Sequence, residues 1–379
     1  MNRRGLRILE LGMHFDPAGG GADRYFAGLL QGLAANGADL TAAAFGEPQH
    51  EHASLALGST SLGLGKRLSA IRSHIVGELD SHDLLASHFA LYAHPLLGAI
   101  QRQRKAHVIH FHGPWADESA GEGQSRLAVW AKRFVERRVY ASADRLITLS
   151  GAFRDILVER YGIAKSKIVV IPGGVDLERF KPTCTRAEAR ERLRWPADRK
   201  IVFCIRRLVR RMGLENLLDA FASIAPEHPE ALLVIGGKGL LTEELQSRAA
   251  ALGIGDQVQF AGFIPDSELP FAYTAADFTI VPSVALEGFG LITLESLACG
   301  TPVLVTPVGG LPETVRDLDP SLVLPESSIA ALADGLRRGF SDFLPSARTC
   351  REYAEANFGW PAIARRVLAV YTEATEAAR

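Results

Sequence analysis

The chain is poor in the features that mark a secreted, membrane-spanning or nucleic-acid-binding protein. Its four cysteines, Cys184, Cys204, Cys299 and Cys350, are scattered through 379 residues with no C-x-x-C pair. That excludes a disulfide framework and predicts free thiols in a reducing cytosol. Basic and acidic residues nearly cancel, 42 Lys+Arg against 43 Asp+Glu, so there is no general electrostatic case for nucleic acid as a partner. Basic residues lead slightly before residue 170 and acidic ones after it, a difference small enough to arise by chance. No apolar run reaches the ~20 residues of a membrane span, and the longest, Leu84 to Ile100, is interrupted by His88, His94 and Pro95. The apolar part of MNRRGLRILELG is too short for a signal peptide and reads as a first strand. Two nucleotide fingerprints are missing as well. There is no G-x-G-x-x-G, Asp39 precedes the second strand instead of closing it, and Lys238 of IGGKGLLTEEL is followed by Gly where a P-loop has Ser or Thr.

What the chain does have is alternation. Short apolar runs at Arg7 to Leu11, Leu40 to Ala44, His107 to Phe111, Arg145 to Leu149 and Lys167 to Ile171 read as buried parallel strands, with helical periodicity at Ala22 to Asn36, Ser125 to Ala141 and Ala152 to Tyr161. The pattern pauses at Pro172 to Lys200, which reads as a linker, and resumes with strands at Lys200 to Ile205, Ala231 to Gly236, Gln257 to Ala261, Asp277 to Val281, Pro302 to Thr306 and Leu322 to Leu324. The fold class is therefore α/β, with two Rossmann-like doubly wound sheets spanning residues 1–175 and 176–356. A helix in residues 357–379 packs back toward the first of them. Ligands of such sheets bind at the carboxyl ends of the strands, here in a cleft between the two domains. The sequence shows no internal repeat or low-complexity tract.

Four segments carry chemistry. ALEGFGLITLESLACGTP, Ala285 to Pro302, sets Glu287 and Glu295 on either side of a Gly-Phe-Gly turn that opens an apolar helix; unpaired N–H groups and the helix dipole favour a phosphate there. CIRRLVRRMG, Cys204 to Gly213, puts Arg206, Arg207, Arg210 and Arg211 at the end of a strand, where guanidinium groups can fork onto phosphate oxygens. Arg207 and Arg211 are the candidates, and Arg206 and Arg210 read as a solvated background. In HFHGPWADES, His112 falls in the strand-to-loop turn while His110 reads as a buried strand histidine. No third ligand at a recognisable spacing accompanies them, so zinc is not expected. The turn Gly19-Gly20-Gly21 lets backbone approach a phosphate or sugar. Phe263 of FAGFIPDSELP sits in another strand-to-loop turn, and Asp317-Leu318-Asp319 reads as solvated loop.

Together these motifs resemble the retaining nucleotide-sugar glycosyltransferases of family 4, over nearly the whole chain and most specifically at E-x(7)-E, Glu287 to Glu295. The resemblance implies the GT-B fold and transfer of a hexosyl group from a nucleoside-diphosphate sugar, with UDP or GDP as the nucleotide, to a hydroxyl acceptor. It implies no cofactor and no metal. Glu287 becomes the contact to donor-sugar hydroxyls, Glu295 the ribose contact, and Phe289, Gly290, Leu291 and Ile292 the backbone near diphosphate and sugar. Arg207 becomes the phosphate-binding arginine, and His112 the histidine near donor sugar and acceptor. Gly20, Gly21, Arg211 and Phe263 complete the expected donor site. One departure is Met212, where many members have a lysine five residues after that arginine; Arg211 is the expected replacement.

The N-terminal domain is then expected to choose the acceptor: a glycan, a lipid-linked glycan or a small metabolite. Its helix Ser125 to Ala141 gathers Leu127, Trp130, Ala131, Phe134 and Val135 into one stripe beside Arg126, Lys132, Arg133, Arg137 and Arg138. This fits either packing on the sheet or a peripheral contact with the inner face of a membrane by a cytoplasmic enzyme. An epimerase or phosphorylase of the same fold, and a non-catalytic nucleotide-sugar binder, are the alternatives.

Overall fold

A computed structural model describes residues 5–16, 20–48, 53–121, 123–341 and 343–378. Contacts divide the chain into two compact units, Met1–Gly174 with Trp360–Arg379, and Val175–Gly359. Each is built on one parallel sheet.

The first unit holds β1 (Arg7–His14), β2 (Asp39–Phe45), β3 (Ser54–Ala56), β4 (Leu84–Ser87), β5 (Ala106–Phe111), β6 (Arg145–Thr148) and β7 (Ile168–Val170) in the order β3-β2-β1-β4-β5-β6-β7. The sequence reading missed β3 and β4. The first is a three-residue edge strand, and the second begins the long apolar run Leu84 to Ile100. The helix Gly21–Ala35 packs on β1, and a Cβ on Gly12 would lie 2.5 Å from the Phe26 ring, so only glycine lets that ring seat on the strand. The terminal helix Trp360–Ala378 belongs to this unit. Trp360 fills the space over Gly28 and Gly174, and Asn36 Nδ2 donates to Pro361 O at 2.9 Å.

The second unit holds β8 (Lys200–Ile205), β9 (Ala231–Gly236), β10 (Val258–Gly262), β11 (Phe278–Val281) and β12 (Val303–Val305) in the order β10-β9-β8-β11-β12. Leu322 to Leu324 forms no strand; a single bridge joins Val323 to Val305. The expected linker is partly a structured element. Thr185 and Glu188 make a capping box for the helix Arg186–Leu193. Its buried Arg190 donates to the Ala275, Ala197 and Arg199 carbonyls and pairs with Asp277 at 2.8 Å, which satisfies a guanidinium that would otherwise be costly to bury.

Candidate active site

In the second unit the carboxyl end of β8 runs directly into Arg206 and Arg207. Arg206 is 9% exposed. Its backbone is gripped at N by Gly236 O (3.0 Å), and a Cβ on Gly237, at φ +119°, would lie 1.9 Å from Arg206 O. Its guanidinium pairs with Glu287, donates to Ser283 Oγ at 2.6 Å and rests 2.7 Å from Met212 Sδ. Ser283 Oγ in turn donates to Glu287 Oε2 at 3.1 Å. Glu287 is held from behind by Gly309, φ +57°, where a Cβ would lie 1.8 Å from Glu287 O, and by the Gly310 N–H at 3.1 Å from the same oxygen. A pair this buried is a weak stabiliser, because desolvation offsets the attraction; removing one partner costs about 3–5 kcal/mol. Its presence therefore points to a task beyond stability.

The other expected residues of this unit fall around that pair or near it. Arg207 is exposed and makes no ion pair among the described residues. Arg211 Nη1 donates to Leu286 O at 2.9 Å, bracing a loop in which Leu286 adopts φ +50°. Gly290, φ +85°, caps the helix Leu291–Ala298, with Leu291 and Ile292 half-buried in its first turn. The Phe289 ring is buried and meets Phe358 at 6.2 Å, so this residue can offer only backbone. Glu295 is 5% exposed, and Tyr273 donates to it at 2.8 Å. Phe263 is exposed, with Lys238 Nζ 5.4 Å from its ring centre. Arg206 is the residue the sequence reading undervalued. Four arginines in six positions look alike until burial separates them.

In the first unit the carboxyl ends of β1, β4 and β5 meet around buried histidines. Glu10, in the middle of β1, accepts from Tyr371 of the terminal helix at 2.7 Å and lies 3.0 Å from His88 Nε2. His88 Nδ1 is 3.0 Å from His112 Nε2. His110 lies 2.6 Å from the Tyr371 hydroxyl and 3.1 Å from that of Tyr25. Burial lowers the pKa of His88 to about 3, that of His110 well below the ordinary value, and that of His112 likewise. The imidazoles are therefore neutral at physiological pH. Burial raises the Glu10 carboxyl, opposed by His110 and the Tyr371 hydroxyl. Glu10, His88 and His110 bring ligand atoms within 4.8 Å of one another, a set that could hold a metal, but each already hydrogen-bonds within the network. Sequence spacing could not assemble this group. Its one signal was a glutamate inside an otherwise apolar central strand.

His112 is half-buried, with the Tyr25 ring edge-on at 5.0 Å. Gly20 opens the helix Gly21–Ala35 at φ +148°, and a Cβ on Gly20 or Gly21 would meet nothing within 4 Å among the described residues. Gly19 lies outside the described residues.

Residues 185–357 match the family described as glycosyl transferases group 1, and residues 19–179 that described as glycosyltransferase family 4. A D-inositol 3-phosphate glycosyltransferase of Streptomyces avermitilis is 35% identical over 314 residues, covering 79% of this chain and 67% of that protein. The chain is a family 4 glycosyltransferase. A D-inositol 3-phosphate glycosyltransferase of Corynebacterium jeikeium is another relative of this glycosyltransferase, 34% identical across 77% of this chain and 73% of its own. Sucrose-phosphate synthase from Thermosynechococcus elongatus superposes with a TM-score of 0.80 at 27% identity, over 98% of this chain and 100% of that one. HepE of Anabaena, in complex with UDP and glucose, shares the GT-B fold at a TM-score of 0.78 and 21% identity, over 97% of this chain and 100% of its own.

Proposed function

We propose that this glycosyltransferase moves a hexosyl group from a UDP- or GDP-sugar to a hydroxyl acceptor with retention of anomeric configuration and without a metal or cofactor. The observation that carries this reading is the buried Arg206–Glu287–Ser283 cluster beside the N-terminus of the helix Leu291–Ala298. Glu287, oriented by Arg206 and Ser283, takes hydroxyls of the donor sugar, and Glu295 takes the ribose. Arg207, exposed and without an ion-pair partner among the described residues, meets the diphosphate together with the backbone of Gly290 to Ile292. The position that carries lysine in many members holds Met212, and the Arg206 guanidinium lies on its sulfur. Arg206 thus brings a cation to the place the lysine leaves, and Arg211 is spent on the Leu286 carbonyl. The acceptor hydroxyl forms a bond to the anomeric carbon on the face from which the diphosphate departs. The anomeric C–O bond to phosphate breaks, and the hydroxyl proton passes to a diphosphate oxygen. Helix N-terminus and guanidinium groups hold the developing charge. A panel of nucleotide sugars, with product stereochemistry read by NMR, tests this. A retained configuration and full activity in EDTA support it; an inverted product or strict metal dependence refutes it.

For the acceptor, the helix Arg126–Ser142 is the informative element. Its buried residues are Glu136, Val139 and Tyr140. Leu127, Trp130 and Phe134 are 75%, 64% and 51% exposed, and Trp130 stacks on Phe134 at 6.0 Å. Most of the stripe that sequence reading assigned either to the sheet or to a membrane thus faces away from the core, beside exposed Arg126, Arg133, Arg137 and Arg138. Apolar side chains worth about 1.5–3 kcal/mol each when fully buried, with about 1 kcal/mol per basic residue at an anionic surface, give reversible binding and not anchoring. Among the described residues no helix is long and apolar enough to cross a membrane. The enzyme meets the inner face of an anionic membrane from the cytoplasm and takes a lipid-linked acceptor. A second reading, a phosphorylated polyol as acceptor, is favoured by the name of the D-inositol 3-phosphate glycosyltransferases among the relatives. Co-sedimentation with vesicles containing phosphatidylglycerol at low salt separates the two: no binding removes the lipid reading.

A further inference from the structure

We propose that Glu10, acting through His88, sets the polarity of His112: the carboxylate fixes the protons so that His112 carries its proton on Nε2 and presents a bare Nδ1 as hydrogen-bond acceptor. Glu10 and His88 are positioning residues, while His112 alone meets substrate.

The proton positions follow from the network one at a time. Glu10 is taken as the carboxylate: burial opposes its ionisation, while neighbouring His110 and the Tyr371 hydroxyl favour it. A carboxylate can only accept. Glu10 Oε1 takes the Tyr371 hydroxyl proton at 2.7 Å, and its Oε2 takes the N–H on His88 Nε2 at 3.0 Å. A neutral imidazole has one proton, so His88 Nδ1 is bare and must accept at its 3.0 Å contact with His112. His112 Nε2 is therefore the donor there, which leaves Nδ1 with the lone pair, and Nδ1 takes no hydrogen bond among the described residues. The second branch is consistent. The Tyr371 proton is used on Glu10, so its oxygen accepts from His110 Nε2, and His110 Nδ1 accepts from the Tyr25 hydroxyl at 3.1 Å. Glu10, His88 and His110 are buried, at 0%, 4% and 2% exposure, so water does not rescue a reversed pattern. Burial keeps the imidazoles neutral, which lets the pattern transmit.

The topology places these groups together. Glu10 pairs in register with Ala86 of β4, His88 follows β4 directly with its N–H on Leu11 O at 3.0 Å, and His112 follows β5. One carboxylate in the sheet interior thus governs the outermost histidine two strands away. A fixed acceptor on His112 selects a sugar or acceptor hydroxyl that donates to it, which orients that hydroxyl without removing its proton.

This rests on the reading that His112 meets the transferred sugar or its acceptor, and the test separates the two claims. In full-length protein with ¹⁵N-labelled histidine, long-range proton–nitrogen correlation reports which ring nitrogen of His112 carries the proton. Wild type is expected to show Nε2. Glu10→Gln keeps the shape, and wherever its amide oxygen stays on the Tyr371 hydroxyl it offers an N–H₂ to His88 and reverses the chain, so part of the His112 population should move its proton to Nδ1. The same variant should lose about tenfold in kcat, the scale of one hydrogen bond, with donor KM unchanged. Tyr371→Phe should lower Tm yet leave His112 protonated on Nε2, so a purely structural role for the network does not mimic the result. A proton on Nδ1 in wild type overturns the relay. So does stoichiometric zinc bound at Glu10, His88 and His110. The wild-type spectrum decides even if Glu10→Gln does not fold. A correct tautomer with no sugar transfer from any nucleotide sugar would instead refute the functional reading and leave the relay standing.

Discussion

The two sheets end in opposite kinds of chemistry. At the carboxyl edge of the second, charges dominate: Arg206 paired with Glu287, Arg207 exposed, a helix N-terminus beside them. At that of the first, neutral imidazoles and tyrosine hydroxyls share a single buried carboxylate. A departing diphosphate needs fixed positive charge, whereas an incoming hydroxyl needs orientation at a site whose protonation does not change with its surroundings. The contrast is what one transferase would require of a donor side and an acceptor side.

Substitutions on either side put that contrast to the test. Removing charge from the second sheet should cost most: Glu287→Ala and Arg207→Ala are each expected to lower kcat/KM by about 10²–10³-fold, the scale of a lost transition-state contact, with the circular dichroism spectrum retained. Arg206→Ala should fall by at least tenfold, and adding Met212→Lys should recover part of the loss, because the Met212 sulfur already lies 2.7 Å from the guanidinium that pairs with Glu287. No recovery in the double variant would remove Arg206 as the replacement cation.

On the neutral side the expected effect is on stability. Glu136, buried in the helix Arg126–Ser142, has its carboxyl pushed up to about 7 by burial, opposed by hydrogen bonds from Tyr161 and backbone. A carboxyl whose folded pKa lies above its unfolded value favours folding only while protonated. Stability is thus lost as pH rises from about 4.5 to 7 and is flat above that. Glu136→Gln should therefore raise Tm more at pH 8 than at pH 5, as calorimetry would show; an equal change at both would mean the carboxyl ionises without cost. The smallest effect on catalysis is expected from Trp130→Asp, which should abolish vesicle co-sedimentation while leaving transfer to a soluble acceptor within about twofold, as a change at an exposed surface position should.

The same contrast explains what could be read before the structure. The second site was legible because most of it lies in two contiguous strings, Arg206 to Met212 and Glu287 to Glu295, each a strand end or helix start whose chemistry follows from local geometry. The first site draws on Glu10, Tyr25, His88, His110, His112 and Tyr371, from five separate stretches of chain. Only His112 stood out, since nothing local links it to a glutamate in β1 or a tyrosine in the last helix. Burial was the second missing quantity. It distinguishes Arg206 from Arg207, and of the two placements open for Leu127, Trp130 and Phe134 it selects the surface. Two strands were lost for a plainer reason: β3, Ser54–Ala56, is a partly exposed edge strand with no apolar run to mark it, and β4, Leu84–Ser87, opens an apolar run that continues into helix with no glycine or proline to set its end.

The most direct test of the donor assignment is calorimetric titration of UDP-, GDP- and ADP-sugars into wild-type enzyme, Arg207→Ala and Glu10→Gln. One nucleotide sugar should bind wild type and Glu10→Gln with equal affinity and Arg207→Ala at least tenfold more weakly. Equal binding by all three proteins, or loss confined to Glu10→Gln, would contradict the assignment of the donor to the charged edge.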